Sequence, residues 1–272
     1  MEKSPSTESA LHPDYDGPPL VEVVLGVQFR ALPRLRPIEM ASLREQWISD
    51  YPVVQEQPPL PPALESVGLV KPQVQLVIGP STQTRLWFLG KGGAELVQLQ
   101  NDRLTVNWRR GDSSEPYPRY EAVRDVFRHR YDDLAAFTAD RRLGTLEPTQ
   151  VEVNYVNAEE VPEDALGHLE LVLRGWPSGR GHHLGSARQA RAALVYEVKD
   201  LGRPPVRLYV EANPARGPRG GPAILFTFTI RGGPAEPALA SVLDFMDGAH
   251  DHIVRSFAEL TPTSAQQRWG RR

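Results

Sequence analysis

Histidine is the side chain in this sequence best suited to chemistry, because the 272 residues include no cysteine and therefore no thiol nucleophile, disulfide or thiolate metal site. His250 follows Asp247 by three residues, on the apolar side of a segment with helical periodicity. A histidine with a carboxylate partner can act as a general base. The alternative is a core histidine satisfied by hydrogen bonds. If a cavity lies beneath this helix, we expect Tyr155 and Asn157 of the central strand to border it.

Two adjacent histidines, His182 and His183, lie in a glycine-rich stretch between Ser178 and Ser186. Adjacent histidines cannot easily bind one metal ion unless the loop wraps around it, so we predict a solvated loop and no metal site. The sequence also lacks a phosphate-binding glycine loop and a serine nucleophile elbow. We therefore predict no catalytic residue and no cofactor.

Segments of alternating polarity supply a second candidate surface, rich in arginine and amide side chains. Its members are Arg85, Trp87, Arg103, Asn107 and Arg109 in the first half of the chain, and Arg207 and Tyr209 in the second. On a saddle-shaped sheet these residues share one concave face, and such side chains can bind a protein edge or a nucleic-acid groove. The alternative is the ordinary solvated face of an antiparallel sheet.

The charge balance limits the choice of partner. The formal net charge is −3, whereas a dedicated nucleic-acid binder usually carries a basic surface. The arginines at positions 85, 103 and 109 keep weak nucleic-acid binding open as an alternative. No apolar run reaches the roughly 18 residues of a membrane span, and residues 1–16 lack the apolar core of a signal peptide. We expect a cytoplasmic protein that does not associate with membranes.

The elements that position these residues follow from hydrophobic periodicity. In the first half we predict a strand over 21–29, a helix over 37–47, strands over 73–78, 85–88, 95–100 and 103–109, and a long helix over 118–141. The proline-rich stretch 57–62 is predicted to be extended. It is a stiff connector, with a ligand for an SH3-type partner as the alternative.

The second half repeats this order of elements. We predict a strand over 151–157, a short helix after Pro162, strands over 168–174, 193–199, 206–213 and 223–231, and a long helix over 237–260. Each half is thus β-α-ββββ-α, and the fold class is α+β with antiparallel strands and both long helices on one side. The predicted divisions are a flexible tail over 1–17, a first half over 18–144 and a second half over 145–272.

Several short motifs carry a resemblance to a known family. They are Pro18 to Val23, Tyr51-Pro52, Asn154 to Asn157, Phe257 to Pro262 and Trp269-Gly270. With them the chain resembles a sporadically distributed bacterial protein family without an assigned activity, which often has arginine where this chain has Asn154. The element order also resembles the repeat of the TATA-binding-protein fold, and each half is similar to a helix-grip unit. The resemblance implies an architecture and a setting in bacterial defence or mobile elements, but no active site.

Three functions are compatible with these features. The leading hypothesis is a non-catalytic binding or adaptor protein that presents a saddle-like polar sheet face to a macromolecular partner, expected to be another protein; a homodimer also fits. The first alternative is a helix-grip small-ligand binder or enzyme with a cavity near His250. The second alternative is a nucleic-acid-binding protein. A pocket lined by convergent polar groups favours the small-ligand alternative, and a filled helix–sheet interface favours the leading hypothesis.

Overall fold

The structure is a computed structural model that describes residues 14–63, 65, 84–110, 117–178, 180–181 and 183–272. Its strands are β1 (Leu20–Phe29), β2 (Val53–Gln57), β3 (Arg85–Leu89), β4 (Glu95–Gln100), β5 (Arg103–Arg109), β6 (Pro148–Glu160), β7 (Arg180–Gly181), β8 (Gly185–Ser186), β9 (Ala192–Glu197), β10 (Arg203–Arg216) and β11 (Pro222–Gly233). Its helices are α1 (Pro37–Ser42), α2 (Arg44–Trp47), α3 (Tyr120–Asp140), α4 (Leu239–Leu260) and α5 (Thr263–Arg268).

Nine of the described strands form one antiparallel sheet in the order β2-β3-β4-β5-β1-β6-β11-β10-β9, and β7 and β8 form a separate hairpin. The centre of the sheet is the pairing of β1 with β6, in which Val23 lies opposite Tyr155 and Leu25 opposite Val153. The predicted α+β class with a large antiparallel sheet is therefore confirmed. Strands from both halves of the chain thus belong to one continuous sheet of nine strands.

Both long helices lie on the same face of this sheet, because α3 packs on β5 and β1, α4 packs on β6 and β11, and the two helices contact each other. The alternation of β1 explains the packing: Val23, Leu25 and Val27 are fully buried and belong to the main core. On α3 the predicted stripe of Tyr120, Val123, Phe127, Tyr131 and Leu134 is buried as well. On α4, Val242, Met246 and Ile253 are buried, whereas Phe257 is half-buried.

The strand predicted over 168–174 is wrong. Residues Leu169–Leu171 form a single 3-10 turn, and the backbone N–H of Arg174 donates to Leu260 at the end of α4. The three buried side chains, Leu169, Val172 and Leu173, are spaced by three and four residues. This spacing suits a helical turn, which buries all three against the core, whereas a strand would point neighbouring residues to opposite faces.

Other boundaries differ from the predictions in smaller ways. The helix predicted over 37–47 is two short helices joined at the buried Leu43, and the helix after Pro162 is the 3-10 turn Glu163–Ala165. The strand predicted over 73–78 lies outside the described residues. The edge strand β2 lies at 53–57, immediately after Tyr51-Pro52. In the described part of the chain, no helix has the length and apolar composition needed to cross a membrane.

Candidate functional site

The predicted histidine site lies where α4 meets β6 and the start of α3. The hydroxyl of Tyr155 is 2.7 Å from Nδ1 of His250, and the His250 ring stacks on the ring of Tyr120 with 4.1 Å between centroids. Tyr155 belongs to the helix-facing side of β6, which explains why its hydroxyl meets α4. Burial raises the pKa of Tyr155 well above its usual value, and the nearby Tyr117 adds to this shift, so the phenol is protonated at neutral pH.

Asp247, expected from its spacing to support His250, is bound by side chains of α3. Its carboxylate accepts hydrogen bonds from the Tyr120 hydroxyl at 2.6 Å and from Arg124, whose Nε and Nη2 lie at 2.6 and 2.8 Å. A guanidinium presents two parallel donors that match both carboxylate oxygens, so α3 supplies a better partner than an imidazole on the same helix. Burial and the contact with Asp247 raise the pKa of Tyr120. Asp247 therefore joins the two long helices.

A cavity of about 110 Å³ borders this cluster, and we name it the helix-face cavity. It is lined by Asp14, Tyr15, Pro18, Leu20, Tyr117, Arg119, Tyr155, Asn157, Ile253, Val254 and Phe257. Two of the four predicted pocket residues, Tyr155 and Asn157, are thus on its wall. His250 lies behind Tyr155, and Asp247 lies one turn away on α4, so neither borders the cavity. His250 is joined to the cavity wall by its contact with the Tyr155 hydroxyl.

The opposite side of the sheet carries the predicted arginine and amide residues, and we call it the polar face. In the first half its side chains form a network around Gln98, whose Oε1 accepts from Arg85 at 2.8 Å and from the Trp87 indole at 2.9 Å. Gln98 in turn donates to Asn107 at 2.8 Å. The carboxylate of Glu22 then accepts from Asn107 at 2.7 Å and from Arg109 at 2.9 Å. The predicted residues of this half are therefore held by partners within the chain.

Residues 60–63 and 65, which we call the internal segment, lie across the polar face. Three glutamines hold its backbone. Gln100 of β4 accepts from Leu60 N–H at 2.9 Å and donates to the Leu60 carbonyl at 3.1 Å. Gln28 of β1 makes the same pair of hydrogen bonds with Ala63, at 3.1 and 2.9 Å. Gln150 of β6 accepts from Glu65 N–H at 2.9 Å and donates to the Ala63 carbonyl.

Arginine completes the contacts in the middle of the internal segment. Arg103 of β5 donates from Nη2 to the Pro61 carbonyl at 2.9 Å and to Gln28 at 2.8 Å. Burial lowers the pKa of Arg103, while the neighbouring Asp102 and Glu152 carboxylates oppose that shift. Since β4, β5, β1 and β6 are neighbours in the sheet, the internal segment runs across the strands.

The end of the internal segment is fixed by a buried carboxylate. Glu65, whose side chain is 6% exposed, accepts from Arg207 at 2.7 Å and from the Tyr209 hydroxyl at 2.7 Å, and Arg231 lies 3.6 Å away. Arg231 also pairs with Glu152. Burial and the hydrogen bond to Glu65 raise the pKa of Tyr209 to about 12. Two of the predicted residues, Arg207 and Tyr209, thus meet on one carboxylate.

The sequence patterns did not indicate four of the residues that hold or end the internal segment, namely Gln28, Gln100, Gln150 and Glu65. A signal existed for the glutamines, since each takes a polar-face position of its strand and all three are buried. A buried amide needs hydrogen-bond partners, and those partners are the backbone groups of the internal segment. The expected open concave surface is therefore covered where this segment lies. His182, half of the predicted histidine loop, lies outside the described residues.

Comparisons with known proteins add little to this geometry. No protein-family model matches the chain, and no curated protein matches it. Among solved structures, DynU16, a protein of the dynemicin biosynthetic locus, is 10% identical over 88% of this chain and 95% of DynU16, with a TM-score of 0.23. A likeness with so low a TM-score carries no argument about fold or function.

Proposed function

We propose that this protein is a non-catalytic binding protein whose polar face recognises an extended polypeptide segment, with the internal segment as the occupant that the chain supplies to itself. The observation that carries the proposal is the pairing of glutamine side chains with backbone N–H and C=O groups. Gln28 and Gln100 each bind both backbone groups of one residue. Such contacts suit peptide recognition, because every polypeptide offers carbonyl groups and nearly every residue offers an N–H.

Specificity in this arrangement comes from the end of the segment. The glutamine side chains bind backbone groups, which are nearly the same in every sequence. Arg207 and Tyr209, in contrast, bind a side-chain carboxylate. A ligand therefore needs an acidic side chain at the position of Glu65. The prolines at 61 and 62 restrict the unbound segment, which reduces the conformational entropy lost on binding. The partner class is thus a protein with an extended, proline-containing segment that ends in an acidic residue.

The electrostatics of the polar face favour a polypeptide over a nucleic acid. Carboxylates of Glu22, Glu65 and Glu152 lie among its arginines and pair with Arg109, Arg207 and Arg231 respectively. A phosphate backbone entering this face meets those carboxylates and must displace them, which costs electrostatic energy. A carboxylate ligand at the Glu65 position replaces one charge by an identical charge.

We also propose that the sheet derives from two copies of one unit, which gives the polar face its saddle form. The strand orders support this. In the first half β3, β4, β5 and β1 are successive neighbours, and in the second half β9, β10, β11 and β6 follow the same sequence. In each half the strand before the long helix therefore pairs with the strand that opens the half. The two opening strands, β1 and β6, pair with each other at the centre.

The test uses a labelled, end-blocked peptide with the sequence of residues 58–65, measured by fluorescence anisotropy against the wild type and Glu65→Gln. We expect Glu65→Gln to bind the peptide, because the change weakens the internal segment. We expect the wild type to bind at least about tenfold more weakly, because its internal segment competes at a high effective concentration. A peptide that ends in glutamine should bind Glu65→Gln about tenfold or more weaker than the acidic peptide, since hydrogen bonds to charged groups are the strong ones.

The matched control adds Arg207→Gln to the Glu65→Gln variant, which removes the guanidinium that receives the carboxylate. Loss of peptide binding in the double variant supports the proposed site. Equal binding with and without the Arg207 guanidinium, or no binding to Glu65→Gln at all, contradicts it.

A further inference from the structure

A second hollow lies between α3 and the turn that joins β3 to β4, and we name it the hairpin cleft. Its volume is about 540 Å³, and it opens to solvent. The residues of its wall that bear on a ligand are Asp50, Lys91, Glu95, Trp108, Val126 and Arg130. The hairpin cleft is on the helix side of the sheet, because α3 supplies part of its wall. It therefore plays no part in the proposed peptide binding on the polar face.

The register of β4 and β5 places a carboxylate beside an aromatic ring in this wall. Glu95 lies directly opposite Trp108. Both side chains point towards the helices, since Val97 and Val106, two residues further along the same strands, belong to the main core. Side chains of directly opposite residues are about 5 Å apart at Cβ. A carboxylate attracts a cation by its charge and an indole ring attracts it by its quadrupole, so this pair suits an ammonium group.

The carboxylate of Glu95 has one oxygen available to a ligand. Its Oε1 accepts a hydrogen bond from the hydroxyl of the buried Tyr51. Its Oε2 has no partner in the part of the chain that the structure describes, yet it is not one of the enclosed polar atoms there, so it remains accessible. Burial of the rest of the side chain raises the pKa of Glu95, the charge of Arg130 opposes this shift, and Asp50 adds to it. A cation next to Oε2 stabilises the ionised form.

The other charges around the hairpin cleft leave one negative charge in excess. Arg130 pairs with Asp50 at 2.7 Å and with Asp133 at 2.9 Å, so two carboxylates share one guanidinium. Lys91, on the exposed turn, is the second cation. The three carboxylates of Asp50, Asp133 and Glu95 therefore face two cations. A cationic ligand brings the sum to zero, whereas an anionic ligand doubles the excess of negative charge.

From this geometry we infer that the hairpin cleft binds a small organic ammonium ion, the protonated form of a primary amine with a short apolar chain. The ammonium group donates to Oε2 of Glu95 and lies beside the ring of Trp108. The apolar chain lies along Val126 and Ala94, which are partly buried residues of the same wall. Tyr51 holds Oε1 and so fixes the orientation of the carboxylate.

The experiment compares three probes of similar shape and different charge: butylammonium, 1-butanol and butyrate. Each is titrated into the full-length protein at pH 7 and constant ionic strength, and binding is followed by the methyl NMR signals of Ala94 and Val126. We expect saturable shifts with butylammonium and an affinity at least about tenfold higher than for 1-butanol, because hydrogen bonds between charged groups are about twice as strong as neutral ones. Butyrate should bind more weakly than 1-butanol, since it meets the excess of carboxylates.

Two variants make the result specific to the hairpin cleft. Glu95→Gln keeps an acceptor for Tyr51 and removes the charge, so it should bind butylammonium and 1-butanol within about twofold of each other. Lys91→Gln, on the exposed turn, removes a repulsive cation and should raise the affinity for butylammonium about two- to threefold. If Glu95→Gln does not fold, Lys91→Gln still decides the question. Glu259→Gln, an exposed glutamate on α4, changes the net charge equally and is the matched control, which should leave the preference for butylammonium unchanged.

Three results overturn the inference. They are absence of saturable butylammonium binding in the wild type, tighter binding of butyrate than of butylammonium, and a preference for butylammonium that survives Glu95→Gln. If only Lys91→Gln is folded, an unchanged or lower affinity for butylammonium in that variant also overturns it. None of these results affects the peptide experiment, which depends on Arg207 on the opposite side of the sheet.

Discussion

Glu65→Gln is the substitution that most directly tests how the internal segment is held. Seven hydrogen bonds from polar-face side chains reach the backbone of this segment, from Gln28, Gln100, Gln150 and Arg103. At about 1 kcal/mol each they contribute about 7 kcal/mol, and ordering the five residues costs about 5–8 kcal/mol. These two quantities nearly offset each other. The carboxylate of Glu65 therefore decides whether the internal segment is bound or released.

The size of the effect follows from burial. The side chains of Glu65 and Arg207 are each 6% exposed, so their interaction is little screened by solvent. Glutamine keeps an acceptor for Tyr209 but removes the charge that Arg207 requires. We expect the change to weaken attachment of the segment by about 2–4 kcal/mol, taken from the loss of the charge-assisted hydrogen bonds at a buried carboxylate. Release of the segment allows Arg207 to reach water, which limits the loss in global stability.

Amide hydrogen exchange measures this attachment directly, because the N–H groups of Leu60, Ala63 and Glu65 each donate to a glutamine side chain. A loss of about 2–4 kcal/mol corresponds to exchange about thirty- to thousandfold faster at these three amides. Amides of β1 and β6 should keep their wild-type rates. Glu56→Gln, an exposed glutamate in β2, serves as the matched control. If exchange at the three amides stays within about threefold of the wild-type rate, the attachment has changed by less than about 0.65 kcal/mol. That result refutes the reasoning.

Four other outcomes are expected. Phe257→Ala should lower the free energy of unfolding by about 2–4 kcal/mol in urea denaturation, since the half-buried ring packs on other aromatic rings at 5.3–5.6 Å; a loss below about 1 kcal/mol contradicts this packing. His250→Gln keeps an acceptor for Tyr155 but loses the stacking on Tyr120, so we expect the free energy of unfolding in urea denaturation to fall by about 1 kcal/mol. An unchanged free energy of unfolding argues against this structural role. Burial raises the pKa of Glu95, so its charged form weakens the fold at neutral pH and the penalty disappears as the pH falls below the unfolded-state pKa. Glu95→Gln should raise the melting temperature at neutral pH and not in acid, and an equal gain at every pH excludes this cause. Affinity for duplex DNA near physiological salt should be no tighter than about 10⁻⁶ M, and sequence-specific nanomolar binding in a titration contradicts the preference for a polypeptide partner.

Periodicity predicted the sheet and the two long helices because each of these elements buries one face. The stripe on α3 and the alternation of β1 are local patterns, and a local pattern is enough when one side of an element meets the core. The turn at 169–171 was missed because a short apolar run fits a strand as well as a helical turn until its packing is known. The packing of this turn depends on its neighbours α4 and α5, which lie far away in the sequence.

The candidate sites depended more on contacts between distant residues. Tyr155 and Asn157 could be placed under α4 from the order of elements, and both border the cavity. The partner of Asp247 could not be predicted, because Arg124 comes from another helix and competes with the residues nearest in sequence. Glu65 was missed for the same reason, since its partners lie on β10 and β11 and no local pattern marks a glutamate that will be buried.

The position of β1 has a consequence for the order in which the protein is made. This strand is synthesised before every other strand of the sheet, yet it lies in the middle, and its outer edge pairs with β6, which follows α3 in the chain. Until β6 leaves the ribosome, the nascent first half exposes an unpaired and largely apolar strand edge, which is the kind of surface on which chains aggregate. The same edge is exposed if the first half is expressed alone. The interval between the synthesis of β1 and that of β6 is therefore the period in which the chain is most open to edge-to-edge aggregation.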